Sequence, residues 1–431
     1  MPEKLAMFGG EPVRREPYPP YNTIGDEEKK MAMSVLDTGV LSGFVGRGNE
    51  QFYGGAKVRE LEALFCTKYG SRYAISFNSA TSALHGTMIA AGIGPGDEVI
   101  VPPYSMSATA AAVLMCHAVP VFIDIEPEMF CLDPSKLEAA VTERTKAVIA
   151  VNLFGLSSDM DPVMDTAARH GLIVVEDNAQ APGAKYKGRF TGRTGHMGVF
   201  SLNRHKTIQC GEGGVVLTDD SRFAERLQLC RNHGEVVLLD WETNRNADVV
   251  GFNYRLSELH AAVAIPQLNK LGTLNSGRIS LAGKLTAALG EIDFIMPPAI
   301  RKECTHVFYL YPMLYKSEKL GITRDLLLKS LIAEGVHASN YAAPIYRCPI
   351  YQEHQDPAAG NFKRLFPEYN CKPDYSPGIC PEAELIHDTK MVVTNICRYP
   401  HTEKEVEEFV KALRKIQANI DELRKLETGS G

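Results

Sequence analysis

"LIVVEDNAQ", Leu172 to Gln180, runs apolar without a break until it meets an acid pair, an asparagine and a glutamine. A strand with one wet face alternates apolar and polar residues, so an unalternating run that stops at carboxylates reads as a strand covered on both faces of a parallel sheet. The pattern recurs upstream. "RYAISFN" (72–78), "DEVIVPP" (97–103), "VPVFIDI" (119–125) and "KAVIAVNLFG" (146–155) are strands of the same kind. Between them lie helical stretches, "SALHGTMIAAGIG" (82–94), "SATAAAVLMCHA" (107–118) and "VMDTAARHG" (163–171), several closed by glycine. Asp133 with Pro134, and Asp161 with Pro162, read as N-cap and first-turn pairs. Strand and helix in alternation define an α/β fold.

After Asp220 the rhythm changes to long helices. "RFAERLQLCRNHG" (222–234) is one; "SELHAAVAIPQLNKL" (257–271) is a second, which Pro266 should kink; a third runs from about Ser276 to Leu289. "VFYLYPMLY" (307–315), a helix near Asp325 to Glu334 and a closing amphipathic helix from about Glu403 to Leu423 suit a smaller α+β domain. The expected division is an N-terminal arm over 1–25, a large α/β domain over 26–275, a small C-terminal domain over 276–425 and a tail over 426–431, with a surface loop from Gln355 to Pro377.

The bulk composition narrows the function. With 431 residues, 45% hydrophobic, 23% charged and a net charge of −6, the chain offers no basic surface for nucleic acid or an anionic membrane. Its longest apolar runs fall far short of a bilayer, and Met1 is followed by no apolar signal segment, so a cytoplasmic enzyme is expected. The ten cysteines form no C-x-x-C pair and read as buried free thiols, with no metal site expected.

Three segments carry chemistry, because function in open α/β sheets gathers where the strands end. "FNSATSAL" (77–84) takes a strand into a helix through Ser79, Thr81 and Ser82, whose hydroxyls and first-turn amides form either an anion site fit for a phosphate or a plain helix cap. Asp177 ends its buried strand, where a carboxylate is costly unless it meets a cation such as a protonated pyridine nitrogen; it also fits a capping role. "SLNRHKTIQCGEGG" (201–214) sets Lys206 behind Arg204 and His205, which together with burial could lower its pKa and make it a nucleophile. Taken alone, it reads more readily as a surface lysine in a basic loop. Together, in this order, the three are the handles that hold pyridoxal 5′-phosphate as a Schiff base.

The chain resembles the DegT-type family of sugar aminotransferases, fold type I enzymes with a large, mostly parallel seven-stranded sheet domain. The resemblance rests on "SATSALH", "GPGDEVIVPPYSMSATAAAV", "VNLFG", "EDNAQAPGA", "FSLNRHKTIQCGEGGVVLTDD", "RNHGE" and "GFNYRLSELHAAV". It implies that Lys206 carries the cofactor and shuttles the proton, with pyridoxamine 5′-phosphate as the alternate form. It further implies that Asp177 pairs with the ring nitrogen, that Gln180 reaches the phenolic oxygen, and that Ala80, Thr81 and Ser201 hold the phosphate. Asn253 would enter a neighbouring subunit's site, implying a homodimer. The donor would be glutamate or glutamine and the acceptor a keto sugar, nucleotide-linked or phosphorylated. Ala80 stands where glycine is usual, Met106 where an aromatic ring covers the cofactor, and Asn152 where histidine is frequent. The stretch 48–60 is longer than in many members. A sugar dehydratase on the same fold replaces the lysine by histidine, and Lys206 argues against it; a catalytically silent cofactor-binding sensor is the other alternative.

Overall fold

The computed structural model describes residues 3–352 and 373–427. Most of the expected loop at 355–377 and the end of the tail lie outside the described residues.

Seven strands form the central sheet: β1 (Tyr73–Phe77), β2 (Glu98–Val101), β3 (Val119–Phe122), β4 (Thr145–Val151), β5 (Ile173–Asp177), β6 (Met197–Ser201) and β7 (Gly214–Thr218). Their order is β1-β7-β6-β5-β4-β2-β3. Strands β2 to β6 pair in parallel, and β7 alone runs against both its neighbours, β1 and β6. Six strands therefore end on one edge of the sheet. The unbroken apolar runs have a direct cause, since both faces are covered. Val99 and Val101 pack on one side with the helices Ala80–Ala90, Ala108–Leu114 and Ser221–Arg231, while Ile100 and Val174 pack on the other with Met160–His170. The rest of that second face is closed by Ala56–Tyr69 and Glu258–Leu289 against Val215 and Leu217.

The C-terminal part has its own core around a three-stranded antiparallel sheet of Ile295–Met296, Tyr311–Tyr315 and Met391–Thr394. The helices Arg324–Ala333 and Glu403–Ala418 cover it, and Leu5 of the arm is buried in the same cluster. Arm and C-terminal part are tied through Glu334, which is fully buried and accepts hydrogen bonds from Ala6 N (2.8 Å), Val13 N (3.1 Å) and Lys415 Nζ (2.8 Å).

Several local expectations are corrected. The two helices expected on either side of residue 275 are one 32-residue helix, Glu258–Leu289, which continues through Pro266 and so runs across the expected domain boundary. Packing along both cores outweighs the one hydrogen bond a proline removes. The closing helix breaks at Asn419 into Glu403–Ala418 and Ile420–Glu427. Asp159, not Asp161, occupies the N-cap of Met160–His170, which puts Asp161 inside the first turn.

Candidate active site

The register of the sheet brings the three chemical segments to one edge. Gly214, the first residue of β7, lies opposite Phe77 at the end of β1 and opposite Ser201 at the end of β6. Asp177, at the end of β5, lies opposite Val199 on β6 and Val151 on β4. The entry of β7 is tight. A Cβ on Gly214 would lie 2.6 Å from Ser79 O and 2.7 Å from Ala80 N, so only glycine lets this strand start against the N-terminus of the helix Ala80–Ala90.

At that helix end the expected roles divide. Ser79 Oγ accepts from Ser82 N (3.0 Å), Ser82 Oγ accepts from Ser79 N (3.2 Å), and Ser82 Oγ donates to Asn78 Oδ1 (2.6 Å). Two of the three hydroxyls expected for an anion therefore cap the helix instead. Thr81 is exposed, and Ser201, buried beside β7's entry, accepts at its Oγ from Asn203 N (3.3 Å), so neither of these two hydroxyls belongs to the cap.

The acid pair of β5 splits by the alternation of a strand. Glu176, fully buried, accepts from Gly192 N (2.8 Å), Thr194 N (2.6 Å), Gly195 N (2.8 Å) and Asn152 Nδ2 (3.2 Å), so it organises backbone. Asp177 accepts from Thr109 Oγ1 at 3.2 Å and Ala179 N at 3.1 Å. Burial raises its pKa, while the Ala179 amide, the Lys206 charge and the Thr109 hydroxyl oppose the rise. The carboxylate is thus held ready for a cation at low solvation.

Lys206 hangs from a compact loop in which Leu202 N meets Gly213 O, Arg204 N meets Gly211 O and Lys206 N meets Asn203 O. Its Nζ stands 4.9 Å from the centroid of the Tyr309 ring. Burial pushes the amine down to about 8, and Asp177 pulls the other way. The expected help from Arg204 and His205 is corrected: both are exposed, Arg204 Nε points to His205 Nε2 at 3.3 Å, and neither acts on the amine.

Gln180 is engaged at both ends, its Oε1 accepting from Phe154 N (2.9 Å) and its Nε2 donating to Tyr341 Oη (2.8 Å). Met106 is exposed to 61%. Asn253 is exposed too, on a segment whose backbone bridges Asn232 and whose carbonyl accepts from Asn78 Nδ2 (3.4 Å). His306 is a core group: stacked on Phe308 with ring centroids 4.0 Å apart, it is pushed down to about 3 by burial. Cys210 is buried and its thiol is pushed up, which removes it as a nucleophile. The lone tryptophan, Trp241, donates to Gly48 O at 3.2 Å and packs edge-on to Phe52, anchoring the long 48–60 stretch. Sequence reasoning missed Thr109, Tyr309 and Tyr21, whose Oη donates to Thr207 O at 2.5 Å beside the lysine. Each sits in an ordinary helix, loop or arm context, and only the tertiary contact gives it significance.

A depressed lysine, a desolvated carboxylate and a glycine-lined helix end on one sheet edge fit pyridoxal phosphate, and the fold is that of the fold type I class of enzymes using it. The chain belongs to the DegT/DnrJ/EryC1/StrS aminotransferase family, which matches residues 46–368. It is 38% identical over 298 residues to GDP-perosamine synthase of Caulobacter vibrioides, covering 69% of this chain and 79% of that protein. Among solved structures it resembles S. venezuelae DesV in complex with a ketimine intermediate, with 30% identity, a TM-score of 0.75 and coverage of 91% and 94% of the two chains. It also resembles an aminotransferase from Psychrobacter cryohalolentis, with 27% identity, a TM-score of 0.80 and coverage of 94% and 100%. The chain is accordingly a pyridoxal-phosphate-dependent sugar aminotransferase.

Proposed function

We infer that the chain moves the amino group of glutamate or glutamine onto a nucleotide-linked keto sugar, with Lys206 as the group that holds the cofactor and carries the proton. The observation that bears this reading is the lysine's pKa near 8 in a site shared with Asp177. A nucleotide-linked acceptor is supported by the likeness to a protein named for a GDP-sugar. When bound, pyridoxal phosphate supplies an aldehyde for the amine and a ring that takes up the electrons freed when a C–H bond breaks.

The chain's own residues do the rest. A lysine with a pKa near 8 has a substantial neutral fraction near neutrality, so its Nζ can attack, leave, and then accept and return a proton. Asp177, kept anionic by Thr109 and the Ala179 amide, holds a proton on a pyridine nitrogen. Ala80 and Thr81 amides with the Thr81 and Ser201 hydroxyls bind a phosphate, Gln180 faces the ring's phenolic oxygen, and Met106 covers a ring face. Asn253, exposed on its segment, completes a partner's site in a homodimer. A cytoplasmic setting agrees with nine described cysteines that are all unpaired. Among the described residues no helix is long and apolar enough to cross a membrane.

Two measurements test this. Borohydride reduction followed by peptide mapping should label Lys206; a label elsewhere, or none, removes the assignment. Incubation with glutamate and a panel of nucleotide-linked keto sugars should yield an amino sugar, whereas a deoxy sugar points to dehydration and no turnover to a silent binder.

A further inference from the structure

One guanidinium beside this site has no counterion among the described residues. Arg398 follows the strand Met391–Thr394, and its Nε is buried without a partner. Among the described residues it makes no ion pair, and the groups acting on its charge are Arg278, Tyr21 and Tyr309, with no carboxylate among them. Its pKa is lowered by burial first and by the like charge of Arg278 second. Three fully or nearly buried arginines elsewhere are paired with carboxylates, whereas Arg398 is half-buried: Arg231 with Glu62 at 2.6 Å, Arg193 with Asp219 at 2.7 Å, and Arg14 with Glu408 at 2.5 Å. Arg278 spends its Nη1 on the carbonyls of Phe308 and Tyr309, both at 3.1 Å. A desolvated, unpaired cation facing a second cation is costly, and a bound anion offsets both terms.

The position of the cluster says which anion. Tyr21 has the Arg278 and Arg398 guanidinium carbons 5.4 Å and 5.2 Å from its ring centroid, and its hydroxyl is fixed to Thr207 O, next to Lys206. Tyr309, the other ring acting on Arg398, is the ring over which Lys206 Nζ stands. The guanidinium is therefore one aromatic ring removed from the reacting amine. An amino acid's carboxylate sits one carbon from its amino group, so the subsite that holds it must border the lysine, and a guanidinium fork matches a carboxylate edge to edge.

We propose that Arg398, framed by Tyr21 and Tyr309 and backed by Arg278, is the subsite that binds the carboxylate of the amino donor. The assignment rests on Lys206 being the cofactor lysine. It is tested on the first half-reaction, which needs no sugar: cofactor-loaded wild type, Arg398→Gln and Arg398→Lys are titrated with L-glutamate and followed by the cofactor's visible absorbance. Half-saturation should rise roughly tenfold or more in Arg398→Gln and less in Arg398→Lys. Reaction with butylamine, which has no carboxylate, should be unchanged in both. A glutamate titration within about twofold of wild type overturns the proposal, and so does an equal loss with butylamine. Borohydride labelling of Lys206 in the same preparations reads the underlying assignment separately, since its absence from wild type would sink that assignment and not the anion subsite alone.

Discussion

Lys206 owes its lowered pKa to dryness, not to its basic neighbours. Replacing Arg204 and His205 together by glutamine should leave cofactor uptake and turnover within about twofold, because a removed exposed charge is screened. Uptake by the cofactor-free protein should quicken as pH rises through about 8, as the amine loses its proton; stopped-flow absorbance against pH checks both the direction and the midpoint. The linkage has a defined sign. A folded pKa below the ordinary 10.5 means the unfolded chain binds more protons between about 8 and 10.5, so the cofactor-free protein gains stability as pH rises through that window. Lys206→Met should flatten that gain, as measured by urea midpoints. Thr109 acts on the other charge. Thr109→Val takes a hydrogen-bond donor from Asp177, worth about 1–3 kcal/mol when the acceptor is charged and buried, so the acidic limb of kcat/KM should move to higher pH and Thr109→Ser should return it.

At the scale of elements, the site exists because β7 begins against the helix Ala80–Ala90. Gly214→Ala puts a methyl group within 2.7 Å of both Ser79 O and Ala80 N, atoms of backbone that cannot swing away. The helix end must shift, and affinity for pyridoxal phosphate should fall by roughly tenfold or more, read by spectral titration, since displaced amides no longer converge on a phosphate. Glycine runs are common in turns, and "GEGG" by itself reads only as one; its last residue became indispensable when the register set it opposite both Phe77 and Ser201. The helix at Pro266 teaches the converse. Local reading ended one helix near Leu271 and began another near Ser276, but Leu268 and Leu271 bury against the sheet, Ala282 and Leu285 bury in the C-terminal core, and one continuous helix joins them.

For the whole molecule, the arm and the C-terminal part are one packed unit through Glu334. Glu334→Gln would leave the Lys415 ammonium, itself 6% exposed, without its charge partner, at a cost of about 3–5 kcal/mol; a clear drop in thermal midpoint should follow while Lys206 is still labelled by borohydride. The sequence by itself determined the α/β class, the strand ends and the three chemical segments, because unalternating apolar runs and the residues that stop them are local signals. It also carried Lys206 and Asp177 as a pair, through their order along the chain. Tertiary structure alone decided that Ser79 and Ser82 cap a helix, that dryness and not Arg204 or His205 lowers the lysine, and that Arg398 lies over Tyr21 with no carboxylate partner among the described residues. Burial, register and through-space charge depend on residues distant in the chain, and no reading of neighbours contains them.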